Sequence, residues 1–114
     1  MSLERIIKTL EGFGFNRMDA EVYVFLSKKG PQKEKDITEA LKISNKHLYS
    51  VLKKLQYKGV ITRNSKNATL FSAIAIEKVI DIYIKTNIEQ AQEIKKNKEE
   101  LLANWHSVTK QENT

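Results

Sequence analysis

Asn45, Lys46, His47 and Ser50 sit close together near the middle of the chain, and no carboxylate lies near them in sequence. Asn can pair with adenine through two hydrogen bonds in the major groove, and Lys can donate to guanine. Around them stand Lys42, Ser44, Tyr49, Lys53, Lys54, Arg63, Lys66 and Asn67, a set of cations, hydroxyls and an amide of the kind that hold phosphate oxygens. This chemistry is recognition of a polyanion, not the making of bonds. Residues 40–76 carry seven bases and no acid, residues 1–39 hold seven of each, and residues 77–114 hold six bases and seven acids. The formal charge of +6 therefore resides in one block, a footprint suited to duplex nucleic acid.

Catalysis finds no comparable support. The two histidines, His47 and His106, belong to no ligand cluster; His47 has no orienting acid near in sequence, and His106 lies near the end of the last helix beside Trp105. Gly12 and Gly14 read as a turn between helices, not as a phosphate loop. No enzymatic activity, metal or cofactor is expected.

The elements that must position these residues follow from apolar spacing. Leu3, Ile6, Ile7 and Leu10 form one helical face, broken at Gly12-Phe13-Gly14-Phe15. Asn16 caps a second helix, with Asp19 complementing its N-terminus. That helix carries Ala20, Val22, Tyr23, Phe25 and Leu26 towards a core and stops at Gly30-Pro31. A short helix over about residues 33–41 turns Ile37, Ala40 and Leu41 inward. Lys42-Ile43-Ser44 leads into a longer helix over residues 45–58, with Ser44 as N-cap and Gly59 as its stop. Two helices joined so closely, the second one basic, read as a helix-turn-helix.

At 100° per residue, Leu48, Val51, Leu52 and Leu55 fall in one arc of the second of these helices. Lys46, Ser50, Lys53 and Tyr57 lie opposite, flanked by Asn45 and Tyr49 on one side and His47 and Lys54 on the other. A merely solvated face usually mixes signs to gain i,i+4 pairs, and this one has no acid. The N-terminal part of such a helix meets base edges, which assigns base reading to Asn45, Lys46, His47 and Ser50. Tyr49 has two readings, the edge of the core or a phosphate contact. Tyr57 reads as surface or dimer contact.

Val60-Ile61-Thr62-Arg63 and Thr69-Leu70-Phe71-Ser72 read as strands, with Asn64-Ser65-Lys66-Asn67 as the turn. A hairpin directly after a helix-turn-helix is a wing, with Arg63 and Lys66 expected at its tip.

Residues 76–110 lack Gly and Pro. Ile80, Ile84, Asn87, Ala91, Ile94, Lys98, Leu101, Trp105 and Val108 recur at alternating spacings of four and three. This heptad pattern predicts one long helix and a homodimeric coiled coil, with Asn87 and Lys98 weakening the seam while fixing its register. A helix folded back on its own domain is the alternative.

The expected fold is mainly α with a small β-hairpin wing: a winged helix-turn-helix DNA-binding domain over residues 1–75 and a coiled-coil dimerisation helix over residues 76–114. At 114 residues there is room for one small core, and the absence of cysteine excludes disulfides and thiolate metal sites. No apolar run approaches the roughly 18 residues of a membrane span, and the N-terminus lacks a signal-peptide core. A cytoplasmic, nucleoid-associated protein with double-stranded DNA as partner is expected.

The chain also resembles the winged-helix domain of TrmB-type transcriptional regulators, mostly archaeal. Phe15-Asn16, Asp19-Ala20-Glu21-Val22-Tyr23, Leu26, Gly30-Pro31, Asp36-Ile37, Ala40, Ile43, Leu48 through Leu55 and Lys58-Gly59-Val60-Ile61 carry the resemblance, over roughly residues 3–80. It implies a transcription factor whose reader is the helix after Ser44. Family members often have Pro and Arg in place of Ser44 and Asn45, and Arg in place of His47, so no operator sequence is carried over. Larger members have a C-terminal sugar-binding domain. This chain ends after the long helix, so sugar sensing is not expected. The rival functions are an adaptor module in a transcription complex and a chromatin-type protein that coats DNA without sequence preference.

Overall fold

In the computed structural model, which describes residues 2–111, six helices and one hairpin fall into two compact units. The first unit ends at Ile80 and the second begins at Asp81.

In the first unit, α1 (Leu3–Gly12) starts at Ser2, whose hydroxyl accepts from the Arg5 amide. α2 (Arg17–Lys29) starts at a reciprocal cap. The Asn16 side chain accepts from the Asp19 amide at 2.8 Å, and Asp19 Oδ2 accepts from the Asn16 amide at 2.9 Å. Gly30, at φ +79°, ends α2 in a conformation open to glycine. α3 (Glu34–Leu41) ends at Lys42, the one non-glycine with positive φ among the described residues, at 53°. Ser44 then caps α4 (Asn45–Tyr57) by accepting from the His47 amide at 3.1 Å.

β1 (Ile61–Asn64) and β2 (Leu70–Ala73) pair antiparallel, Ile61 opposite Ala73 and Asn64 opposite Leu70. A third backbone segment joins this hairpin. Gln32 and Phe71 exchange both amide hydrogen bonds, at 3.0 and 2.8 Å, which fixes the hairpin to the α2–α3 connection. The Tyr23 hydroxyl donates to the Ile74 carbonyl at 2.6 Å, and burial pushes its phenol above the ordinary pKa, so it remains a donor. α5 (Ile76–Lys96) follows.

One core fills the centre of this unit, built from α1, α2, α3, α4, the hairpin and Val79 of α5. Val79 of α5 is buried in it, and this compact unit extends to Ile80. The α1 face is only half covered: Ile7 and Leu10 are buried, whereas Leu3 and Ile6 are exposed. In α3, Ile37 is buried and Leu41 half-buried, but Ala40, expected inward, faces solvent. Eight residues give α3 two turns, and one residue in each is enough to seat it.

In the second unit the expected single helix is interrupted. α5 ends at Lys96, and α6 (Lys98–Gln111) begins after Asn97. The Asn97 amide still donates to the Glu93 carbonyl at 3.1 Å, and its own carbonyl accepts from the Leu101 amide at 2.9 Å. Its side-chain amide donates to Glu93 Oε1 at 3.0 Å. The backbone bonds on either side of Asn97 thus keep helical spacing, and the side-chain contact joins two side chains without displacing a backbone partner. None of the helices among the described residues is long and apolar enough to cross a membrane.

A candidate nucleic-acid interface

α4 is oriented by its apolar arc. Leu48, Val51, Leu52 and Leu55 are all buried, and burial of four such side chains fixes the rotation of the helix. Asn45, Lys46, His47 and Ser50 are consequently exposed together, with Lys42 and Ser44 at the entry to the helix. Ile43 is buried between Lys42 and Ser44 and anchors the turn, while the left-handed conformation of Lys42 reverses the chain. Tyr49 is 62% exposed and lies outside the core. Tyr57 is 93% exposed at the far end of the helix.

Two of the seven bases in the block turn away from this face. Lys54 Nζ lies 2.5 Å from Oδ2 of Asp19, whose side chain is fully buried. The charge of Lys54, placed from the sequence among the phosphate contacts, is thus matched within the domain, on a side chain that is 37% exposed. Lys58 is half-buried with its ammonium 5.7 Å from the centre of the Phe15 ring, in the range of a cation–π contact. Lys42, Lys46, Lys53, Arg63 and Lys66 remain exposed.

The wing divides its residues differently from the sequence expectation. Arg63 is not at the tip; it sits within β1 opposite Phe71. Lys66 and Asn67 occupy the connection, where Asn64 Oδ1 accepts from the Lys66 amide at 3.0 Å and shapes the turn. Arg63 instead lines a groove of about 380 Å³ between α4 and the hairpin, with Tyr49, Lys53 and Gln56. Leu52 and Phe71 also line the groove, and α3 contributes Glu34. Glu34 belongs to the charge-balanced N-terminal third of the sequence, so no local reading places it beside the basic block. Among the described residues there is no cluster of His, Cys, Asp and Glu able to hold a metal ion.

The proposed seam residues of the second unit are exposed. Ile84, Ile94, Leu101, Trp105 and Val108 present their side chains to solvent, as do Asn87, Ala91 and Lys98, and Ile80 at the end of the first unit does the same. Ile88 and Leu102, which the alternating spacing passes over, widen that apolar face.

The family model for the sugar-specific transcriptional regulator TrmB matches residues 10–77 of this chain. The chain belongs to the TrmB family. The matched segment runs from the end of α1 through the helix-turn-helix and the wing into the first turn of α5. Among curated proteins, the HTH-type sugar sensing transcriptional regulator TrmBL1 of Pyrococcus furiosus is 28% identical over 103 residues, covering 90% of this chain and 30% of TrmBL1. Among solved structures, the archaeal chromatin protein TrmBL2, described as showing a novel mode of DNA binding, superposes with a TM-score of 0.76 at 25% identity. That match covers 90% of this chain and 42% of TrmBL2. The ST1889 protein of Sulfolobus tokodaii superposes with a TM-score of 0.65 at 19% identity, covering 81% of this chain and 99% of that protein, a likeness of fold. This TrmB-family chain thus spans less than half the length of both TrmBL1 and TrmBL2.

Proposed function

We propose that this TrmB-family chain binds duplex DNA as a homodimer and regulates transcription. The observation that carries the reading is the exposed, acid-free N-terminal half of α4, set on a buried apolar arc beside a basic hairpin. Asn45, Lys46, His47 and Ser50 read base edges as α4 enters the major groove. Lys42, Ser44, Tyr49, Lys53, Arg63, Lys66 and Asn67 hold phosphates, which supply affinity without sequence information. The exposed apolar faces of α5 and α6 pair two copies, and the pairing sets the spacing of two half-sites.

Selection from a randomised duplex pool at two salt concentrations tests this. A recovered palindrome or direct repeat is the expected result. Failure to retain any duplex at low salt would remove the DNA reading. Within the recovered site, Lys46→Ala should cost about 1–3 kcal/mol and relax the preference at one position. Lys66→Ala should weaken all duplexes alike and reduce the salt slope by about 1. Competition titrations with matched and mismatched duplexes separate the two effects. Equal weakening of every sequence by Lys46→Ala would remove it from the base-reading set.

The likeness to the chromatin protein TrmBL2 supports a second reading, sequence-independent coating of DNA. Its signature is retention of duplex without enrichment, lost steeply as salt rises.

A further inference from the structure

The fold, not the local sequence, brings Glu34 to the basic face. It is the first residue of α3 and lines the same groove as Lys53 and Arg63. No ion pair joins it to either base among the described residues. A carboxylate at a helix N-terminus has one ordinary duty, to complement the positive end of the helix dipole. Asp36 stands in the same turn and already does this, accepting from the Lys33 amide at 3.4 Å. Asp36 thus supplies the capping contact, and the charge of Glu34 is left in the groove that Lys53 and Arg63 also line.

We propose that Glu34 is a specificity-determining residue that limits how tightly the α4–wing groove holds a phosphate. The inference rests on the DNA-binding reading above and deepens it. Lys53 and Arg63 offer two positive charges to one stretch of backbone, and a phosphate arriving between them meets a second anion in the same groove. Repulsion over a few ångströms at the surface is felt strongly at low salt and is screened as salt rises. Sequence-independent binding draws its affinity from phosphate contacts, so a fixed negative charge at one of them holds that mode weak. Base contacts from Asn45, Lys46, His47 and Ser50 then decide which duplex is retained. Discrimination by a built-in repulsive element is a general device of specific interfaces.

The test uses the full chain, a mixed-sequence duplex and a series of salt concentrations. Glu34→Gln keeps the size and polarity of the side chain and removes its charge. It should bind about three- to ten-fold more tightly at low salt, with a steeper salt slope and a gain that fades at high salt. In a Lys53→Gln background the gain should shrink, because the phosphate site it acts on is weakened. Glu89→Gln, an exposed acid of α5 outside the groove, controls for net charge and should change binding far less. A gain no larger than that of Glu89→Gln would overturn the proposal. So would weaker binding, which would mean that Glu34 accepts a hydrogen bond from the duplex. The wild-type isotherm reports separately on the DNA reading: if the wild type and Glu34→Gln both fail to bind at low salt, that reading falls and the role of Glu34 falls with it. Binding by the wild type with no change in the variant overturns the role of Glu34 alone.

Discussion

Replacing Lys54 by Met is expected to destabilise the first unit by about 3 kcal/mol, while the same change at its neighbour Lys53 costs almost nothing in stability. Asp19 is fully buried, and Oδ2 of its carboxylate takes the Asn16 amide and the Lys54 ammonium. Oδ1 has no hydrogen-bond partner among the described residues. Methionine preserves the length and apolar stem of Lys54 but leaves the buried carboxylate without its counter-charge, the situation in which removal of one partner is most damaging. The Lys54 side chain is itself 37% exposed, so water relieves part of the loss, and the low end of the range for buried pairs is the appropriate estimate. Against a total stability of about 5–15 kcal/mol for a domain, this is a large fraction. Urea unfolding followed by circular dichroism measures it. A midpoint equal to that of wild type would mean that the pair contributes nothing to the fold. DNA binding should show the reverse order. Per folded molecule, Lys53→Met should weaken binding and reduce its salt dependence, and Lys54→Met should leave both nearly unchanged, because the charge of Lys54 is already spent on Asp19.

That contrast between adjacent lysines marks where the sequence stops being legible. Hydrophobic periodicity is a local property, and it correctly assigned the buried arc of α4, since Leu48, Val51, Leu52 and Leu55 repeat at helical spacing. The caps at Asn16 and Ser44 were equally readable, because a cap needs only residues within one turn. What joins residues far apart in the chain was not. Lys53 and Lys54 both lie off the apolar arc, and no helical wheel shows that an acid 35 residues upstream meets only the second. The arrival of Glu34 in the groove, the pairing of Gln32 with Phe71 and the contact of Lys58 with Phe15 are of the same kind. The Gln32 pairing has an added reason. A single residue exchanging two hydrogen bonds leaves no alternating pattern to detect. Arg63 lies within the strand and not at the tip because pairing runs one residue further than the polar tetrad suggests, with Asn64 opposite Leu70. The turn at Asn97 between α5 and α6 was not legible, because the heptad pattern runs across it unbroken and its backbone bonds keep helical spacing.

A chain carrying Ile94→Asp and Leu101→Asp together is expected to be monomeric and to lose about 100-fold or more in affinity for a two-half-site duplex. Both residues are exposed, on either side of Asn97, and occupy the same position of the alternating pattern. An isolated helix of 14 residues, the length of α6, is marginal in water, and helices in proteins draw most of their stability from a packed apolar face. Ile84, Ile88, Leu102, Trp105 and Val108 extend that face, which is wider than a single a/d stripe. Two carboxylates at its centre would have to be desolvated on pairing, a cost that a few apolar neighbours do not offset. Linking two DNA-binding units makes the second contact intramolecular, and its loss leaves each unit to bind one half-site alone. Light scattering at several concentrations reports the association, and titration with single and paired half-sites reports the affinity. Trp105, 63% exposed in the single chain and the only tryptophan, supplies an internal reporter. Its emission should shift to the blue when the wild type associates and should stay red in the double variant at every concentration. A wild-type protein that remains monomeric throughout would overturn the pairing of these helices. A double variant that is monomeric yet binds paired half-sites as tightly as wild type would show that the spacing of the readers is set by the DNA alone.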